Sequence, residues 1–221
     1  MHNVRFVNVP GWAFFLGNNS PASDSLVKAA DGSMVASEFG AILSDVYVFN
    51  SRVGPAFDNF VKGIVNGMFV KDVDMSAVHV LGQSGWFTYS HYNNIRVENA
   101  GINGSGDFLF AIFISDVGLN SFNNLFIRSK HAIKSYTVTS FSNVALINYQ
   151  DANFSEAVSL PSWTSALVFA GPVYVSGLYA EITSQSDSNV ITCERTECVL
   201  NNVKVATNSA NVLRVVTDGT K

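Results

Sequence analysis

Three carboxylates, Asp74, Glu98 and Asp107, are the residues of this chain whose type and spacing suit acid–base chemistry. Cleavage of a glycosidic bond needs two carboxyl groups about 5 to 9.5 Å apart. Stacked β-strands lie about 4.8 Å apart, so equivalent positions on neighbouring turns can supply such a pair. Asp72 and Asp74 fall on one candidate turn, and Glu98 and Asp107 on the next. Glu98 reads as an outward-leaning strand residue, whereas Asp72 reads as part of a bend. An eliminative cleavage would instead need a base beside a charge-neutralising group. His91 and Arg96 stand close enough in sequence to be considered for that role.

Ligand contact is expected from side chains that present flat rings with polar edges. Trp86, Tyr89, His91 and Tyr92 crowd one loop-like stretch, Gly82 to Asn93, and Arg96 follows it. Trp163 stands on a second loop after Pro161. These six are the expected binding residues. His79 and His91 have no evident third partner, so no metal site and no cofactor are expected. Cys193 and Cys198 make neither a disulfide framework nor a zinc pattern. They read first as small buried residues, with a local disulfide across Glu194–Glu197 as the alternative.

What must position these groups is a repeated four-residue phrase. Asn94-Ile95-Arg96-Val97 is one copy. Others start at Asn3, Asp45, Gly67, Asn124, Asn143, Gly177 and Asn202. The first slot is always Asn, Asp or Gly, residues that tolerate a left-handed backbone. The second and fourth slots are apolar in every copy, the period-two signal of a strand with one buried face. Copies begin 19 to 42 residues apart, in the range of repeat solenoids. A second apolar stretch answers each phrase: Trp12–Leu16, Pro55–Phe57, Ala77–Val80, Phe108–Phe113, Ala132–Lys134, Ala157–Leu160, Val190–Cys193 and Val212–Val215. The free third slot points outward and carries Arg5, Tyr47, Phe69, Arg96, Phe126, Ala145, Tyr179 and Lys204. A polar residue follows most phrases: Asn8, Asn50, Asp72, Asn99, Ser129, Asn148 and Thr207. It is expected to form a hydrogen-bonded ladder. Between Gly17 and Leu43 the rhythm breaks, and Ser23-Asp24-Ser25 reads as a cap for a short helix over Leu26–Ala30.

The 221 residues suit one all-β domain over 1–221. Only 14% of them are charged, against about 25% in an ordinary soluble domain. Asn, Ser, Thr and Gly cover the surface instead. Net charge is −4 with no basic run, which argues against nucleic acid. No segment reaches the ~18 apolar residues of a membrane span. The start lacks the pattern of a signal peptide. Neither end reads as capped: Val4 and Phe6 start a strand at once and the sequence stops at Asp218-Gly219-Thr220-Lys221, so more protein or a partner chain is expected to cover one or both ends.

On these phrases, the low charge and the abundant Asn and Ser, the chain resembles the right-handed parallel β-helix of the pectate-lyase-like superfamily. Within it the sequence is most similar to the shaft of a bacteriophage tailspike or appendage. The resemblance implies a right-handed parallel β-helix, in which the break in rhythm near residues 17–43 reads as a short helical or irregular insertion. It implies a homotrimer on the virion tail that binds a bacterial surface polysaccharide. It also implies that cleavage by hydrolysis or elimination can accompany binding. The alternative is a purely structural segment. Calcium-dependent members cluster Asp residues, and Asp72-Val73-Asp74 is the only such pair in this chain.

Overall fold

The computed structural model describes residues 1–17, 26–28, 34–36, 41–58, 60, 62–81, 88–115, 118–129, 131–148, 165–182, 189–194, 196–207 and 211–217. In chain order the strands are β1 (His2–Trp12), β2 (Phe15–Gly17), β3 (Leu26–Lys28), β4 (Met34–Ala36), β5 (Ile42–Val53) and β6 (Ala56–Asp58). Next come β7 (Ile64–Val73), β8 (Val78–Leu81), β9 (Thr88–Ala100), β10 (Phe110–Ile114), β11 (Gly118–Arg128) and β12 (His131–Ser135). The last are β13 (Thr139–Asn148), β14 (Leu167–Phe169), β15 (Val173–Ile182), β16 (Ile191–Glu194), β17 (Cys198–Thr207) and β18 (Leu213–Val216). One 3-10 turn, Gly106–Leu109, precedes β10, and no α-helix occurs among the described residues.

From β5 onward the strands alternate between two eight-stranded parallel sheets. The first has the order β1-β5-β7-β9-β11-β13-β15-β17 and the second β2-β6-β8-β10-β12-β14-β16-β18. Such alternation is a parallel β-helix: the return path of each parallel pair is the rest of the coil. The inner rows run in strict register. Val46, Met68, Ile95, Leu125, Val144 and Leu178 form one, and Val48, Val70, Val97, Ile127, Leu146 and Ala180 the next. All twelve are buried.

The first slot of every phrase carries the bend. Asn3, Asp45, Asn94, Asn124, Asn143 and Asn202 have φ between 51° and 57°, and Gly67 and Gly177 have 80° and 76°. A left-handed residue acts as a bulge and changes which side the chain faces. Inward residues therefore skip three positions across it rather than two. Tyr92 and Ile95 both face the core across Asn94, and Phe122 and Leu125 do so across Asn124. Side-chain amides link the bends from coil to coil. Asn94 donates Nδ2–H to Asn66 at 2.8 Å, and Asn124 donates to Asn94 at 3.1 Å.

Aromatic rings fill the centre. Tyr92 stacks on Phe122 at 4.5 Å, Phe122 on Phe141 at 5.3 Å, and Phe57 meets Tyr92 at 5.4 Å. Each buried ring of this kind contributes roughly 3 kcal/mol before ordering costs.

Several expectations are corrected. Leu26–Lys28 is a strand, not part of a helix, and pairs antiparallel with Met34–Ala36. Pairing between the two short apolar runs prevails over the local capping signal. The first phrase runs on through Trp12, so the second strand of that coil is only Phe15–Gly17. Ala157–Leu160 lies outside the described residues, and β14 stands between β12 and β16. Cys193 and Cys198 form a disulfide.

Candidate functional site

The three carboxylates stand on different elements with different partners. Glu98 lies on the outer face of β9, in register with Lys71 and Arg128. It accepts Nε–H of Arg96 at 2.8 Å and pairs with the Nη2 edge of the same guanidinium. Asp74 accepts an Asn103 amide hydrogen at 3.1 Å. It lines a shallow hollow of about 290 Å³ with Asn8, Asn50 and Arg52. Asp107 sits in the 3-10 turn and receives the Lys134 ammonium at 2.6 Å. Among the described residues no three His, Cys, Asp or Glu side chains gather as a metal site would require.

The aromatic candidates separate as well. Tyr89, His91 and Tyr92 belong to strand β9 rather than to a loop. Strand alternation therefore sorts them. Tyr92 is fully buried in the ring stack and presents nothing to solvent. His91 is exposed, and Tyr89 pairs in backbone register with Leu119. Trp86 and Trp163 lie outside the described residues. Arg96 follows the bend, on the next facet of the same strand.

Around His91 the first sheet forms a groove of about 470 Å³. Its floor is one register row, His91, Ser121, Ser140 and Tyr174, with Leu119 and Val138 beside it. His91 Nδ1 and Ser121 Oγ are 2.5 Å apart. Leu119 and Tyr174 are 52% and 45% exposed, so apolar surface meets solvent beside the hydroxyls. An imidazole, two hydroxyls and a phenol in line can exchange hydrogen bonds with a polyol, while the Tyr174 ring takes a C–H face.

Sequence reasoning found His91 but missed Ser121, Ser140 and Tyr174. The signal exists: each is the third residue before a bend residue, as His91 is before Asn94. Strand alternation counted back from the bend would have aligned them.

A second polar cluster covers the outer face of the second sheet. The row His79, Phe113, Lys134 runs in register across β8, β10 and β12. His79 is 2% exposed, with Trp12, Phe108 and Phe113 rings 4.9 to 5.5 Å away. Its Nε2 has no hydrogen-bond partner among the described residues. Burial pushes its pKa down to about 4, and the Asp107 charge opposes that only in part. Lys134 Nζ also lies 5.0 Å from the Tyr136 ring centre and 5.7 Å from that of Phe110. This cluster is closed by packing, and its charges compensate each other.

No protein-family model, no curated protein and no solved structure matches this chain.

Proposed function

We propose that this chain is a β-helical shaft of the tailspike kind that binds bacterial surface polysaccharide along its side. The observation that carries the reading is the in-register row His91, Ser121, Ser140 and Tyr174 lining an open groove. A rigid sheet holds the four side chains about 4.8 Å apart, so little ordering cost falls on binding. Aromatic surface beside hydroxyl donors and acceptors suits the two faces of a sugar ring. Binding without cleavage is favoured, because Glu98 and Asp107 are engaged in ion pairs and Asp74 in an amide contact. The homotrimer and the place on a virion tail belong to this reading through the resemblance alone.

The test is a panel of capsular and O-antigen polysaccharides, read by affinity electrophoresis and by release of reducing ends. The expected result is retardation by at least one glycan, weakened about tenfold or more in Tyr174→Ala, with no new reducing ends. New reducing ends would favour a polysaccharide hydrolase or lyase. Retardation by no glycan would favour a structural segment. Sedimentation as a monomer at roughly 20 µM would count against the trimer.

A further inference from the structure

Beyond the bend, the same first sheet presents a facet of different chemistry. Its third-slot row is Arg5, Tyr47, Phe69, Arg96, Phe126, Ala145, Tyr179 and Lys204, in unbroken register. Each cation of the row lies against a ring. The Arg96 guanidinium carbon lies 5.3 Å from the Phe69 ring centre and 5.0 Å from that of Phe126. Arg5 lies 5.7 Å from Tyr47, and Lys204 Nζ lies 5.8 Å from Tyr179. The neighbouring row adds Lys71 and Arg128, with Glu98 between them, and Glu181 further on.

The facet thus gathers five cations against two carboxylates, in a chain whose net charge is −4. The cations come from five separate coils, so no basic run marks them in the sequence. Eight strands at about 4.8 Å make the facet roughly 34 Å long. Glu98 already shows which ligand group Arg96 accepts, a carboxylate held by Nε and Nη2. Both donors reach one oxygen, Oε1, in a charge-assisted contact.

We propose that this facet is a second binding surface, for an acidic polysaccharide strand whose carboxylates meet the cations while its sugar rings lie on Tyr47 and Tyr179. Sparse charge on the ligand is what the facet fits. Glu98 and Glu181 interrupt the cations and repel a dense polyphosphate. The Phe69 and Phe126 faces are already taken by Arg96, which leaves poor platforms for nucleobase stacking. The surface is independent of the groove around His91 before the bend.

Carboxymethyl-dextran and dextran share one backbone and differ in charge, so they isolate the claim. Binding of each to the full chain is followed by titration, alongside poly(dT). The expected result is binding of carboxymethyl-dextran over dextran, weakening as salt rises from about 50 to about 200 mM. Arg96→Gln with Arg128→Gln should weaken it about tenfold or more, and Glu181→Gln should strengthen it. Neither change should alter retardation by a neutral glycan in the groove, so the two surfaces fail separately. Far-UV circular dichroism and the urea midpoint establish that each variant is folded. Equal binding of both dextrans, tighter binding of poly(dT), or indifference to the arginine changes would overturn the proposal. So would an oligomer that falls to monomers in Arg96→Gln, because the facet would then be a contact between copies.

Discussion

Lys134 Nζ stands 2.6 Å from Asp107 Oδ1, although 27 positions separate the two residues. The contact ties the 3-10 turn before β10 to the outer face of β12. The Lys134 side chain is 11% exposed and that of Asp107 39%. Burial works to lower the Lys134 pKa, but hydrogen bonds and charge from Asp107 and Tyr136 outweigh it, and the value is raised. A raised lysine stabilises the fold fully below its unfolded value, and that contribution is lost as pH rises through the folded one. Asp107→Asn should therefore cost roughly 2 kcal/mol in urea unfolding at pH 7, less than a fully buried pair because Asp107 is partly solvated. Lys134→Met in the same chain should restore most of it. A single variant as stable as the parent would remove the pair from any account of stability.

The bend at Asn94 makes a sharper demand on side-chain type. Its φ is 57°, and its amide both donates to Asn66 and accepts from Asn124. Alanine loses both bonds and pays the left-handed penalty, for a total of roughly 2–3 kcal/mol. Glycine loses the bonds but adopts the angle at ease, so Asn94→Gly should cost about half as much. Thermal unfolding of the two variants decides it. An alanine variant at least as stable as the glycine one would contradict the bend geometry.

That residue also explains how much was legible in the sequence. Few residue types tolerate a left-handed bend, so Asn, Asp or Gly marks all eight phrase starts, and the inner rows follow by counting two and four. The ladder after the phrase was only half legible. Asn8, Asn50, Asp72 and Asn99 are left-handed there, whereas Ser129 and Thr207 are not. Hydroxyl side chains do not stabilise that conformation as amides do, and Ser129 instead bonds the Ala100 carbonyl at 2.7 Å. Outward positions carry no such restriction. The groove was hidden because His91, Ser121, Ser140 and Tyr174 share a row without sharing a chemistry. The facet beyond the bend was legible as a row, but its net charge was not, since it depends on which residues flank that row. Asp107 was singled out, but its lysine partner could not be found without the coil geometry.

His79 makes stability depend on acid. Its pKa is lowered to about 4 from an ordinary 6.5, chiefly by burial. The rings of Trp12, Phe108 and Phe113 face it, and Asp107 is the charged group that acts on it. Below pH 6.5 the unfolded chain takes up a proton that the folded chain refuses. Stability should therefore fall between pH 6.5 and about 4, by about 3 kcal/mol at most from this residue. His79→Phe keeps a ring in place and removes the titration. Urea midpoints across that range should diverge between parent and variant as pH falls. Parallel curves would mean that the imidazole is solvated.

The Cys193–Cys198 bond closes a loop of six residues between β16 and β17, and so joins the second sheet to the next coil of the first. By loop-closure entropy a ring this small contributes about 2 kcal/mol. Each coil of a solenoid touches mainly its neighbours, so the loss on reduction should stay local. Among the described residues strand β18 pairs only with β16, and its Val215 lies in register with Cys193. Hydrogen exchange with and without dithiothreitol should show lost protection in β17 and β18, while β9 and β11 are unchanged. A uniform loss along the chain would mean that the coils unfold as one cooperative unit. No loss at all would mean that the last coil is held by its sheet pairing alone.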